Sequence, residues 1–361
     1  MSLAAPVARV SEAVATADVA RVEAVIDEVF RVKMRGARAY GQEATDLWRT
    51  ASETVRGGKL VRPRLLLAAY RELAGMPHTP RSVIQAAAAV ELLHYAFILH
   101  DDVIDGDTVR RGRPNLIGAI AADAAPARRA LHRGTTAAIL MGDLVLSAAY
   151  QLLARLDVPE RAPVRVFDVV DHTIDQTVAG EWADVTFAHG MEPPTLNAIL
   201  EMSANKTACY TFELPLRLAA VLADAALPTE NALATAGRYL GIAFQLDDDL
   251  LCAFGDPAEH GKDPLSDLRE GKQTPIIAFA RTTSEWRLIT DRVGRSDLTP
   301  EEADRVREVL VACGAKDYVE SLRDDAIAQV RRLCRRQRHI FPGAAGNVLL
   351  EFAAQLEGRR T

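Results

Sequence analysis

The chain has 361 residues, 49% of them apolar and 25% charged, with 43 basic against 49 acidic side chains for a net charge of −6. So large an apolar share excludes a mainly disordered chain and supplies a sizeable core. The mild acidity excludes a surface built chiefly for nucleic acid, and 17 prolines with 22 glycines are too few for a fibrous or low-complexity chain.

The N-terminal stretch MSLAAPVARVSEAVATADVARVEAVIDEVF alternates charged with apolar residues and lacks the unbroken apolar centre of a secretory signal. A helix is expected over about 17–50. After Gly57-Gly58 come Lys59 and Arg62, then a helical segment over about 61–75. The stretch Arg81–Asp105 carries Val83, Ala87, Val90, Leu93 and Phe97 at mixed three- and four-residue steps, the period of a helix. Further helical segments follow at about 135–155, 162–190, 195–225, 230–254, 272–293, 300–313 and 316–338. Prolines at 159, 193, 194, 228, 257, 264 and 300 punctuate them. Alternating patterns are scarce, so the reading is all-α, a bundle of ten or more helices forming one domain over 1–361. The one long irregular segment, Phe254–Lys272, is charged and glycine-punctuated, which points to function.

No run approaches the ~18–20 apolar residues that cross a bilayer, so no transmembrane segment is expected. Cys209, Cys252, Cys313 and Cys334 are scattered with no CxxC pair, which suits a reducing cytoplasm better than a disulfide framework.

Two acidic clusters end apolar helices. Asp101, Asp102 and Asp105 form DDVID, with Asp101 and Asp105 four residues apart on one helical face. Three carboxylates in one turn repel, and at a helix C-terminus they also oppose the macrodipole. They read either as a solvated helix end or as a seat for a hard cation such as Mg²⁺, which brings phosphate with it. Arg110 and Arg111 follow within loop reach and tilt the reading toward a cation-bridged polyanion. The second cluster, Asp247-Asp248-Asp249, ends the helix over 230–254. Successive helical residues diverge by about 100°, so Asp247 reads as solvated or supporting. Lys262, Asp267 and Lys272 lie in the following loop, and Lys206 stands beside Thr207 further upstream. Two such helix ends across an apolar cavity suit the ionisation of an allylic diphosphate and the shielding of its carbocation from water.

With these residues in view, the sequence resembles the trans-isoprenyl diphosphate synthases (polyprenyl synthetases), over about residues 50–355. GGKLVRP at 57–63, VELLHYAFILHDDVIDGDTVRRGRPN at 90–115, ILMGDLVLSAA at 139–149, GEWADV at 180–185, Lys206-Thr207 and FQLDDDLL at 244–251 occur in the family's order. The resemblance implies the isoprenoid synthase type I fold, helices around a deep central cavity, and a homodimer. It implies that Lys59, Arg62, His94 and Arg111 bind the diphosphate of isopentenyl diphosphate without metal, while Arg110, Lys206 and Lys262 grip the allylic diphosphate. Asp101 and Asp105 would ligate two Mg²⁺ ions and Asp248 a third, Mn²⁺ being able to substitute, with Asp102, Asp249 and Asp267 in support. Thr207 and Gln245 would line the reaction centre, and the departing pyrophosphate would serve as base. His94 alone reads as a packed or surface imidazole, but it stands seven residues before Asp101, nearly on the same face.

The pattern departs at Cys252, where the last aspartate of the second motif is missing, and at Glu181, where many members carry glutamine; a small effect is expected at each. DDLLCAFGD also partly mimics a class I terpene cyclase, and a catalytically weak regulatory subunit of a partner synthase is a third reading. The second diphosphate site argues against the first alternative and the intact DDVID against the second. One helical turn rises ~5.4 Å, about one isoprene unit, so Phe97, Ala96 and Leu93 read as successive floors under the growing chain. Only Phe97 of the nearer two is bulky. The expected product is geranylgeranyl diphosphate, with C15 and C25 as alternatives. Phe97 as simple core, with the floor set by another helix, is the plainer reading.

Overall fold

The computed structural model describes residues 16–55, 58–76, 78–122, 127–190, 192–255, 266–336, 340–341 and 345–357, with Ser266 and Asp267 described by backbone alone. Its helices exceed ten, and its described strands amount to one short hairpin. The expected first helix is two: α1 (Thr16–Ala37) and α2 (Gln42–Thr54). They part at Gly41, whose φ of +108° is cheap only for glycine. Helix α3 (Val61–Ala74) stops at Gly75, a left-handed cap whose N–H donates to the Arg71 carbonyl.

Helix α4 (Arg81–Ile104) runs through the core, and residues Ala86 to Leu93 along it are all buried. A helix buried all round is apolar all round. That is why α4 has the length and composition of a membrane span, although 78% of its apolar window is covered by the rest of the fold. Helix α6 (Ala127–Leu153) passes the same test with only 44% covered. The expectation that no run approaches this limit counted unbroken apolar residues and missed both. Helix α5 (Leu116–Ala121) is capped by Asn115, whose side chain accepts from the Gly118 N–H at 3.0 Å.

Between α4 and α5 runs a hairpin, β1 (Val109–Arg110) against β2 (Arg113–Pro114), with Arg110 opposite Arg113. Arg111 and Gly112 have φ of +56° and +71°, the two positive values a type I′ turn requires. The turn aims consecutive arginines from one rigid corner.

Helix α7 (Ala162–His189) precedes α8 (Leu196–Ser203), which runs into a π-helical segment (Ala204–Glu213) and then α9 (Leu214–Leu222). Helical period alone gave one helix here. The wider π turn is a common feature of functional sites. It is pinned by glycines on both sides: a Cβ at Gly180 of α7 would lie 2.2 Å from the Lys206 nitrogen, and one at Gly241 would lie 2.2 Å from the Ala208 Cβ.

Helix α10 (Leu227–Phe254) joins the two main apolar clusters. Leu233, Ala236 and Leu240 pack with α1–α4 and α7, while Leu246 and Leu250 pack with the elements that follow. Those are α11 (Ser266–Glu270), α12 (Pro275–Ala280), α13 (Pro300–Ala312) and the start of α14 (Ala315–Arg336), whose later turns join the first cluster together with α15 (Ala345–Glu357). The helix expected over 272–293 is short α12 and a 3-10 turn (Ser284–Leu288), and α15 was not anticipated.

Candidate active site

The C-terminal end of α4 presents its acids as the spacing implied. One carboxylate oxygen each from Asp101, Asp105 and Glu181 of α7 lie within 4.8 Å of one another. Asp102 is buried and accepts from Arg110 Nε at 2.8 Å, while Arg110 Nη2 reaches Asp101 at 3.0 Å. Burial disfavours the Arg110 cation, but Asp102 and Asp101 more than offset it and raise its pKa. For Asp105, burial and the nearby Asp101 charge push the carboxyl up to about 6, against the pull of Lys272 and Lys206.

Lys206, on the π segment, reaches into this group. Its ammonium lies 2.7 Å from Asp184, 3.0 Å from Glu181 and 3.4 Å from Asp101. Burial works against the charge, yet these three acids raise its pKa strongly. Lys272 lies 3.8 Å from Asp105 and 3.4 Å from Glu270.

At the end of α10, Asp248 is half-buried, and buried Asp249 accepts from Gln245 Nε2 at 2.9 Å. Lys272, the neighbour of Asp105, also lines a small cavity with Asp249 and Cys252. Asp247 departs from the solvated reading. It is fully buried on another face of α10, with Arg323 of α14 at 3.5 Å, because the 100° step turns it into the α10–α14 packing. Lys262 and Asp256 lie outside the described residues, as does the side chain of Asp267.

A second site opens on the hairpin side of α4. A cavity of about 610 Å³ is lined by Gly58, Glu91, His94, Arg110, Arg111 and Asn115, among others. Arg62 sits 4.6 Å over the Tyr210 ring and donates to Thr211 Oγ1 at 2.8 Å. His94 stacks on the same ring at 5.6 Å. Burial, then Arg62, Arg111 and Arg110, hold its imidazole well below the ordinary range, so it is neutral. Burial raises the Glu91 carboxyl against Arg62 and Arg111. His94 Nδ1, Arg62 Nε and Glu91 Oε2 have no hydrogen-bond partner among the described residues, which leaves polar capacity for a ligand. Lys59 is half-buried in the link to α3, one residue before Leu60, whose φ of +50° is strained for a side chain of its kind.

Phe97 meets Tyr210 edge-on, with ring centroids 5.2 Å apart. Ala96 and Leu93 are buried on the face that carries His100, which lies against Gly142 of α6. Thr207 is half-buried next to Lys206. Sequence reading missed Tyr210, Thr211, Glu91 and Asp184, and it undervalued Glu181. The three-residue spacings 91/94 and 181/184, which put Glu91 on the face of His94 and Asp184 on the face of Glu181, were the available signals.

The family model for polyprenyl synthetase matches residues 46–310. Geranylgeranyl diphosphate synthase of Methanosarcina mazei is 33% identical over 83% of this chain and 84% of its own. Geranylfarnesyl diphosphate synthase of Aeropyrum pernix is 32% identical over 73% and 79%. Among solved structures, geranylgeranyl pyrophosphate synthase from Corynebacterium glutamicum, complexed with isoprenyl diphosphate and magnesium, superimposes with a TM-score of 0.85 at 28% identity, covering 94% of this chain and 98% of that one.

Proposed function

The chain belongs to the polyprenyl synthetase family, and from that premise we propose a chain-elongating trans-prenyltransferase that makes geranylgeranyl diphosphate. It joins isopentenyl diphosphate to dimethylallyl, geranyl or farnesyl diphosphate and releases pyrophosphate. One observation carries this reading. A basic cavity with a neutral imidazole lies against one face of α4, and a carboxylate group of metal-binding shape lies at the end of the same helix.

The donor set suits a hard divalent cation: carboxylate oxygens from Asp101 and Asp105 for two ions, Asp248 for a third, and Asp102 and Asp249 in support. Mg²⁺, as three ions, is the assigned metal, and Mn²⁺ can replace it. Bound there, it would act as Lewis acid for the leaving diphosphate. Lys206 and Arg110, held by carboxylates at the end of α4, are the described side chains proposed to grip that diphosphate; the resemblance adds Lys262 to them. Lys59, Arg62, Arg111 and His94 hold the second diphosphate by charge and hydrogen bonds alone, so it stays intact. Tyr210 sets an aromatic face beside the reacting carbons, where it excludes water and stabilises positive charge, while Phe97 stands as the floor under the growing chain. Thr207 and Gln245 complete the wall.

The chain is read as one domain because α10 feeds both apolar clusters. Exposed Ile139, Leu140 and Leu144 on α6, with Val178 and Trp182 on α7, support a homodimer through this face. Four scattered cysteines with no CxxC pair support a cytoplasmic setting.

The test is turnover with Mg²⁺, farnesyl diphosphate and labelled isopentenyl diphosphate. A C20 diphosphate is expected. Hydrocarbon formed without isopentenyl diphosphate would make the protein a cyclase, and no turnover by the isolated chain would make it a regulatory subunit. In the same assay Phe97→Ala is expected to lengthen the main product by at least one unit, about 5 Å of extra depth; unchanged length removes Phe97 from the floor.

Metal binding should depend on pH. Asp105 must give up its proton to bind, and with a pKa of about 6 it is mostly neutral at pH 5 and charged at pH 7.5. Mn²⁺ affinity, measured calorimetrically, should fall at least about tenfold as the pH drops from 7.5 to 5. A flat profile contradicts Asp105 as a ligand.

A further inference from the structure

We propose that Glu181 is a direct ligand of the divalent cation at the Asp101–Asp105 end, and that the Lys206 ammonium holds this position when no metal is bound. The proposal rests on the metal-dependent reading above and extends it to a residue on a different helix.

The geometry is the first support. The carboxylate oxygens of Asp101, Asp105 and Glu181 lie within 4.8 Å of one another. Octahedral Mg²⁺ with bonds of about 2.1 Å sets neighbouring oxygens about 3 Å apart and opposite ones about 4 Å apart. Small side-chain rotations close the difference, and all three side chains are about four-fifths covered.

A second, independent feature is that a cation already sits there. Lys206 Nζ is 3.0 Å from Glu181 and 3.4 Å from Asp101, so the same two carboxylates share one positive charge. A doubly charged ion at that point gains more from the two acids than an ammonium does. Asp184 lies one turn beyond Glu181 and holds Lys206 from the other side at 2.7 Å. As the metal takes the position between Glu181 and Asp101, Asp184 remains a partner for the displaced ammonium, which can then also meet an incoming phosphate.

The backbone fixes the pair. Gly180, next to Glu181, packs directly on the peptide between Asn205 and Lys206. Glu181 and Lys206 are therefore held at a set distance by main chain rather than by loops. A glutamine at 181 would offer only a neutral carbonyl oxygen. The carboxylate here adds one negative charge to a site whose second motif lacks one at Cys252.

Manganese binding to the full-length protein tests this without turnover, by calorimetry and by the loss of the free Mn²⁺ paramagnetic resonance signal. Glu181→Gln should weaken binding on the order of tenfold or more. Lys206→Gln, in the absence of any diphosphate, should tighten it on the order of tenfold, since a competing charge is gone. If Glu181→Gln binds like the wild type while Asp101→Asn does not, Glu181 is no ligand and the metal reading stands without it. If neither variant changes the affinity, the assignment of the metal to this end of α4 falls as well. Unchanged or weaker binding in Lys206→Gln overturns the place-holding role.

Discussion

Asp101→Asn is expected to lower turnover by at least about 10²–10³-fold while the helical content and melting temperature stay close to those of the wild type. The substitution keeps the shape of the side chain and removes its charge. Asp101 meets Arg110, Lys206, Asp105 and Glu181 at once, so one lost charge changes every electrostatic relation at this end of α4. Metal affinity falls because the site loses one of its carboxylates. The fold is spared for two reasons. The asparagine oxygen can still accept from Arg110, and losing a charge beside Asp105 relieves the repulsion that helps hold Asp105 at about 6. Steady-state rates with saturating Mg²⁺ and both diphosphates, beside circular dichroism, measure the two effects separately. A rate within tenfold of the wild type would remove Asp101 from the chemistry.

Much of this site can be read from the chain because helical spacing is strict. The four-residue step from Asp101 to Asp105, and the seven-residue step from His94 to Asp101, place side chains on α4 before any neighbour is known. The apolar period likewise gives α4, α7 and α10 with little error. What spacing cannot give is the partner across the gap. The contact of Glu181 and Asp184 with Lys206 joins two helices through the main chain at Gly180, and no local pattern encodes it. The π segment is hidden for the same reason: its residues fit an α-helix by composition, and only the two glycines packed against it show where the wider turn goes. Tyr210 escaped notice because an aromatic at helical spacing reads as core. Here it is the plate between Arg62, His94 and Phe97. Asp247 was separated correctly from its neighbours by the 100° step, but its Arg323 partner lies 76 residues away and turns a supposedly wet carboxylate into a buried one.

Gly180 supports the second large effect. In an exposed helix, alanine in place of glycine stabilises by ~1 kcal/mol, since it restricts the unfolded chain and buries no polar group. Gly36 in α1 is such a position, with nothing within 4 Å of an added methyl, and Gly36→Ala should raise the melting temperature slightly. Gly180→Ala should do the opposite. Its methyl would stand 2.2 Å from the Lys206 nitrogen and 2.7 Å from both the Lys206 Cα and the Asn205 carbonyl carbon. These are main-chain atoms, so no side-chain rotation relieves the clash, and α7 must move away from the π segment. Overpacking of this kind costs about 1–3 kcal/mol, enough to override the propensity gain and lower the melting temperature by a few degrees. The same shift separates Glu181 and Asp184 from Lys206, and displacements near 1 Å at reacting groups cost about 10²-fold in rate. Both losses should therefore appear together in Gly180→Ala and neither in Gly36→Ala, measured by thermal melts and initial rates. A Gly180→Ala protein as stable and active as the wild type would mean that α7 and the π segment are not in the close contact on which the Glu181–Lys206 pairing depends.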